Sequence, residues 1–198
     1  MLPKKIQNFI EAFSKIPTIG PRMARRLAFH LLNLDKQTFK KVKKALNNLE
    51  KVDKCPRCFF VKDSSKKLCQ ICSNKKRNTQ KVAIVEKETE VISLEKSGAF
   101  KGIYLVIGKS DSKGTLTPTQ KLRLKHLKKI VKKSNKKLEE VIIAVNLNTK
   151  GDILTQKIKK GLQGITKKIT RLGRGIPTGG EIEFADKETL NNALKSRN

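Results

Sequence analysis

The chain has 198 residues, enough for one good-sized core with a small appendage or for two compact modules. Its 46 Lys and Arg against 17 Asp and Glu give a formal charge of +29, which points to a polyanionic partner, nucleic acid first. The N-terminus is amphipathic and no apolar stretch reaches bilayer-spanning length, so neither a secretory leader nor a membrane anchor is expected, and a cytoplasmic location is.

Both halves are basic, with 20 basic and 5 acidic side chains in residues 1–80 and 26 and 12 in residues 81–198. Asn is also frequent and Trp absent, a pattern that an AT-rich genome produces, so the arginine positions carry more weight than the lysine count. In chain order, Leu2, Ile6, Phe9, Ile10 and Phe13 form one apolar stripe at helical spacing. Pro17 and Gly20 then interrupt the helix, Gly20 being placed to supply the backbone angle of a tight turn. Pro21 opens a second helix in the favoured first-turn position. Its core face is Ala24, Leu27, Ala28 and Leu31, with Arg22, Arg25 and Arg26 on another side. A third helix is expected to turn Phe39, Val42, Leu46 and Leu49 inward and a run of lysines outward.

Next come Cys55-x2-Cys58 and Cys69-x2-Cys72, with ten residues between the pairs. That spacing lets each pair place two thiolates on one ion, at about 2.3 Å for zinc, and lets the loop close the tetrahedron. Two disulfides are the competing reading, and intracellular thiols stay reduced. Four thiolates leave no open coordination position, so one structural Zn2+ is expected. From Lys81 onward short β-branched runs, 82–85, 103–107, 141–145 and 168–172, alternate with helical patterns over 88–97, 119–134 and 152–162, which predicts an α/β domain with a mainly parallel sheet and helices on both faces. Residues 173–180 read as a loop, 181–184 as a short strand, and a last helix is capped by Asp186.

Three constellations can carry chemistry. The hairpin turn directs backbone N–H groups and the positive end of helix two at one spot, where Arg22 and Arg26, one turn apart, would clamp phosphates without reading sequence; a plain αα-hairpin with solvated arginines is the alternative. Glu86 ends a strand where open α/β sheets gather ligands. The strand over 141–145, however, runs into Asn146 and Asn148, neutral amides that make a poor magnesium site. Glu86 is therefore read as structural or partner-contacting. Gly108-Lys109-Ser110 lacks the first glycine of a nucleotide P-loop, whose place Ile103 takes. His30 and His126 lie far in sequence from any cysteine and read as packed or surface histidines.

The hairpin Ile16-Pro-Thr-Ile-Gly-Pro-Arg-Met-Ala-Arg-Arg, the four cysteines, the Val85-Glu86 strand end, Gly98-Ala-Phe-Lys-Gly102 and the terminal Arg174-Gly-Ile-Pro-Thr-Gly-Gly-Glu-Ile-Glu183 together resemble the bacterial recombination mediator family RecR, in order and spacing. The resemblance implies a helix-hairpin-helix domain over 1–53, a four-cysteine zinc finger over 54–77, a Toprim domain over 78–172 and a C-terminal segment similar to a Walker B motif over 173–198. It further implies a non-enzymatic DNA clamp in recombinational repair, often a homotetrameric ring, that works with RecO and RecF to load RecA onto gapped DNA coated with single-strand-binding protein. Carried over by position, Arg22 and Arg26 are DNA-contacting, with Gly20 and Arg25 of the same hairpin expected beside them, Cys55, Cys58, Cys69 and Cys72 are zinc ligands, and Glu86, Lys150 and Asp152 lie on the Toprim edge that meets partners. Lys150 stands where that family usually places a glutamate. The competing enzymatic expectation is a magnesium-dependent Toprim nuclease or primase built on Glu86; an RNA-binding zinc ribbon is a third.

Overall fold

The computed structural model describes residues 2–195. The chain divides into two compact units, one ending at Val52 and the other beginning at Asp53.

The first unit is helical: α1 (Lys4–Ser14), α2 (Pro21–Leu32), α3 (Lys36–Asn48) and a 3-10 turn, Leu49–Lys51. In α2 the buried residues are Ala24 and Ala28, one turn apart, and their small side chains let α1 approach closely. Phe9 and Phe13 of α1 stack with ring centroids 4.0 Å apart. Asp35 starts α3 by accepting hydrogen bonds from the Gln37 and Thr38 N–H groups. The expected inward face of α3 is not covered. Phe39, Leu46 and Leu49 are 43%, 49% and 65% exposed, because so small a helical unit has too little interior to close over three apolar stripes. What remains between the helices is a groove of about 280 Å³, lined among others by Ile6, Phe9, Phe13, Leu31, Phe39 and Leu46.

From the boundary onward comes a two-stranded ribbon, β1 (Val52–Lys54, its first residue the last of the helical unit) and β2 (Val61–Asp63), then a single turn of helix, α4 (Gln70–Ser73). It continues through β3 (Asn78–Val85), α5 (Glu88–Ser97), β4 (Gly102–Val106), α6 (Pro118–Lys133), β5 (Leu138–Ile143), α7 (Thr149–Gly161), β6 (Thr166–Arg171) and, after a 3-10 turn at Ile182–Phe184, α8 (Lys187–Lys195). The four strands β3 to β6 are parallel, in the order β4-β3-β5-β6. Alternation along β3 sorts the core into two layers. Val82 and Ile84 join Leu124, Leu127 and Val131 of α6 and Leu154 and Ile158 of α7 on one face. On the other face, Ala83 and Val85 join Val91 of α5 and the ribbon side chains Phe60 and Ile71. The predicted α/β class and two-faced cover are thus observed, with the ribbon serving as part of the second layer.

Thr117 caps α6 by accepting from the Gln120 N–H, while the Gln120 carboxamide reaches back to the Thr117 N–H. One expected strand is absent. Residues 181–184 close on themselves, with the Phe184 N–H donating to the Glu181 carbonyl and the Ala185 N–H to the Ile182 carbonyl. Ile182 and Phe184 are 70% and 79% exposed. The Glu-Ile-Glu-Phe alternation suits a strand, but no sheet edge pairs with it in the described residues, and unpaired backbone settles into a local turn. Asp186 caps α8 as expected, accepting from the Thr189 N–H at 2.9 Å.

Candidate functional site

The hairpin turn places its unusual backbone at Thr18, with φ of 72°, and not at Gly20, whose φ is −80°. Gly20 is the residue before the first turn of α2 and offers no side-chain cap. Pro21 has no N–H, and the first helical backbone bond is Ala24 N–H to the Gly20 carbonyl at 2.9 Å. The N–H groups of Arg22 and Met23 are therefore left with hydrogen-bonding capacity at the positive end of the helix. A Cβ at Gly20 would meet nothing within 4 Å, so the glycine is not needed to fit the chain to itself. Arg22, Arg25 and Arg26 are exposed and form no ion pair among the described residues. Arg22 and Arg26 sit about 6 Å apart along the axis, on one side.

The four cysteines converge. All are buried, none is in a disulfide, and their sulfur atoms all lie within 4.8 Å of one another. A tetrahedron with metal–sulfur bonds of about 2.3 Å has sulfurs about 3.8 Å apart, so the donor set fits a closed, four-coordinate ion. Cys58 and Cys69 sulfurs are 3.5 Å apart, and the Cys72 N–H points to Cys69 Sγ at 3.4 Å. Hydrogen bonds from Cys58 and Cys72 hold the Cys69 thiol well below the usual thiol range, whereas Cys58, bonded to Cys69, is pushed up. The first knuckle is anchored to the sheet. The Val106 N–H donates to the Cys58 carbonyl at 2.9 Å, and Phe59, at a positive φ of 61°, lies beneath the Arg123 guanidinium, 4.8 Å from the ring centre. Behind the ribbon, Arg77 pairs with Glu95, which also accepts the Tyr104 hydroxyl at 2.6 Å.

A cleft of about 540 Å³ opens at the carboxyl ends of β3 and β5. With β4 and β5 on either side of β3, this is where the strand order reverses, the usual ligand position in such sheets. Glu86 and Lys150 both line it, together with Lys87, Lys109, Ser110, Asp111, Ser112, Asn146 and Asn148. Glu86 is 6% exposed, and its Oε1 accepts from the Ser110 N–H at 2.9 Å and the Ser110 hydroxyl at 2.7 Å. Asp111 accepts from the Thr115 hydroxyl and from the N–H groups of Thr115 and Lys113, which holds its carboxyl below the usual range. Asp152 turns elsewhere: it pairs with Arg171 of β6 and with Arg174, which also reaches Glu188 of α8. Those guanidiniums, Arg171 first, keep the Asp152 carboxyl low.

Of the residues singled out from sequence, Glu86 and Lys150 share the cleft and Asp152 does not line it. Lys109 and Ser110, weighed in the sequence only as an incomplete P-loop, and Lys87, not singled out there, line it as well. Their signal was positional, since each follows the end of a β-branched run within a few residues, where adjacent parallel strands deliver their next side chains to one edge.

Three family models match the chain: "RecR, helix-hairpin-helix" over residues 6–49, "Toprim domain" over 80–173 and "RecR, C-terminal" over 175–198. Among similar proteins, the Recombination protein RecR of Dehalococcoides mccartyi is 33% identical over 198 residues, covering 97% of this chain and 93% of the relative. That of Chloroflexus aurantiacus is 33% identical over 201 residues, covering 100% and 95%, and that of Desulforapulum autotrophicum is 34% identical over 203, covering 100% and 98%. With the helical hairpin, the cysteine cluster and the parallel sheet in this order along one chain, and likeness running from end to end, the protein belongs to the RecR family of recombination proteins.

Proposed function

We propose that this chain is a DNA-binding scaffold of recombinational repair that grips the sugar-phosphate backbone and breaks no bond. The observation that carries the reading is the start of α2: an open glycine, two unsatisfied backbone N–H groups and three exposed, unpaired arginines at one helix end. Such a constellation recognises phosphate oxygens of any sequence. The N–H groups of Arg22 and Met23 would donate to one phosphate oxygen, and Arg22 and Arg26 would hold the neighbouring phosphates as bidentate donors. Nothing in that set activates water or a nucleophile.

In this reading the four thiolates hold one Zn2+, whose task is to fold the ribbon that packs behind β3 and β4. The open apolar groove of the helical unit supports assembly with further copies of the chain, up to a ring of four that encircles DNA. Partnership with RecO and RecF, and promotion of RecA loading on gapped DNA in the cytoplasm, belong to the same proposal and rest on the family. Among the described residues no helix is long and apolar enough to cross a membrane, which agrees with it. Replacement of Arg22 and Arg26 by Glu should abolish binding of a gapped duplex while metal content and melting temperature stay at wild-type values; full binding by that variant would overturn the reading. Magnesium-dependent cleavage or synthesis lost on Glu86→Gln would favour the enzymatic alternative instead.

A further inference from the structure

The cleft at the crossover point of the sheet carries a charge pattern unlike that of a cation site. A hard divalent ion wants several anionic oxygens facing it. Here the lining offers two carboxylates, and intrachain donors occupy both: Ser110 takes Glu86, and the 111–115 turn takes Asp111. The next acid along α7, Asp152, is paired with Arg171 and Arg174. The amides of Asn146 and Asn148 stand where further acids would be needed, and the Asn148 carboxamide oxygen is taken by the Gly151 N–H at 2.9 Å. Against these, Lys87, Lys109 and Lys150 reach the same cleft from three different segments, and none forms an ion pair among the described residues.

The cleft is also rigidly constructed. At Gly151 a Cβ would lie 1.8 Å from the Asn146 carbonyl oxygen, so the start of α7 is pressed onto the strand end. At Gly114, with φ of +67°, a Cβ would lie 2.5 Å from the Lys150 carbonyl oxygen. The loop that bears Lys109 and Ser112 is thereby held against the segment that bears Lys150. Two close approaches that only glycine permits keep lysines from separate elements around one space.

We propose that this cleft binds a phosphate group through Lys87, Lys109 and Lys150, in place of the divalent cation that a Toprim fold implies. The phosphate can come from a free nucleotide or from a nucleic-acid strand, and the cleft is larger than either phosphate alone requires. This site does not depend on the hairpin.

The test is calorimetric titration of the full chain with sodium pyrophosphate at low ionic strength, beside a Lys109→Gln/Lys150→Gln variant and the Arg22→Glu/Arg26→Glu variant, each checked for an unchanged melting temperature. Pyrophosphate should bind the wild type in an event that weakens about tenfold or more when the two lysines are replaced, as loss of charge-assisted hydrogen bonds requires, and that the arginine variant, having lost any binding at the hairpin, still shows. A short dT oligonucleotide then separates the sources. If the residual binding by the arginine variant disappears on adding the lysine replacements, the cleft takes strand phosphate; if no residual binding exists, it takes free phosphate. Absence of pyrophosphate binding, equal binding by the lysine variant, or tight binding of magnesium alone that Glu86→Gln removes would overturn the proposal. Failure of the hairpin reading would appear elsewhere, as undiminished duplex binding by the arginine variant.

Discussion

Replacement of Gly20 by Ala separates what the hairpin does for folding from what it does for binding. Gly20 has φ of −80°, which any residue adopts, and its Cβ direction is empty to 4 Å. Two small effects on stability oppose each other. Alanine is a poorer residue at the start of a helix than glycine, by about 0.5–1 kcal/mol, and it restricts the unfolded chain, which stabilises by about 0.4–1 kcal/mol. The sum is close to zero, so the melting temperature should move by no more than about 2 °C. Binding is another matter. If a phosphate oxygen seats beside the Gly20 α carbon, an added methyl group displaces it from one of the Arg22 and Met23 N–H groups, and a charge-assisted hydrogen bond so lost contributes about 1.5–3 kcal/mol. Fluorescence anisotropy with a gapped duplex should then show affinity reduced about tenfold to a hundredfold, with differential scanning fluorimetry unchanged. Wild-type affinity in Gly20→Ala would show that no phosphate approaches this turn. A large fall in melting temperature would show that the glycine serves the fold, contrary to the geometry.

Other consequences can be measured as directly. Cys58→Ser should lose the bound metal, one equivalent by colorimetric release, and expose the backbone of residues 52–77 to rapid hydrogen exchange, since structural zinc supplies about 10–16 kcal/mol in isolated fingers; β3 to β6 should stay protected but melt lower, having lost the cover of Phe60 and Ile71. Gly151→Ala must displace either α7 or the Asn146 carbonyl from a 1.8 Å clash, and should destabilise by about 2–3 kcal/mol, a fall of about 5–10 °C in melting temperature. Asp152→Asn should cost about 1 kcal/mol, because its partners are half-solvated surface pairs. Its carboxyl lies below its unfolded value, so the contribution is present above the unfolded pKa and is lost as pH falls through the folded one. Melting curves of wild type and variant should therefore differ at neutral pH and converge in acid.

Much of this architecture was legible because local patterns and tertiary demands agree. The β-branched runs around Val82, Ile103 and Val141 are buried on both faces in the sheet, and continuous apolar strands with intervening helices have few other folds open to them. The cysteine spacing was equally explicit, since metal geometry constrains sequence tightly. The failures have physical causes of their own. Phe39, Leu46 and Leu49 carry a helical core pattern, yet periodicity says only that a face is apolar and not what covers it. Ile182 and Phe184 alternate like a strand, but pairing is a non-local property and among the described residues no edge comes to meet them. The turn's positive φ fell on Thr18 where glycine was expected, so Gly20 is not there for backbone freedom. In the sequence Lys150 stands out only as a departure from the family pattern, Lys109 only within an incomplete P-loop and Lys87 not at all; the crossover of β3, β4 and β5 brings the three to one cleft.

The central claim, a helix end that holds phosphates without regard to sequence, is tested most directly by the salt dependence of duplex binding. The logarithm of the wild-type association constant should fall linearly with the logarithm of salt concentration, with the same slope for unrelated sequences, and Arg22→Gln/Arg26→Gln should make that slope shallower by about 2, roughly 0.9 for each phosphate contact removed. A slope that the double replacement leaves unaltered, or one that changes with base sequence, would contradict it.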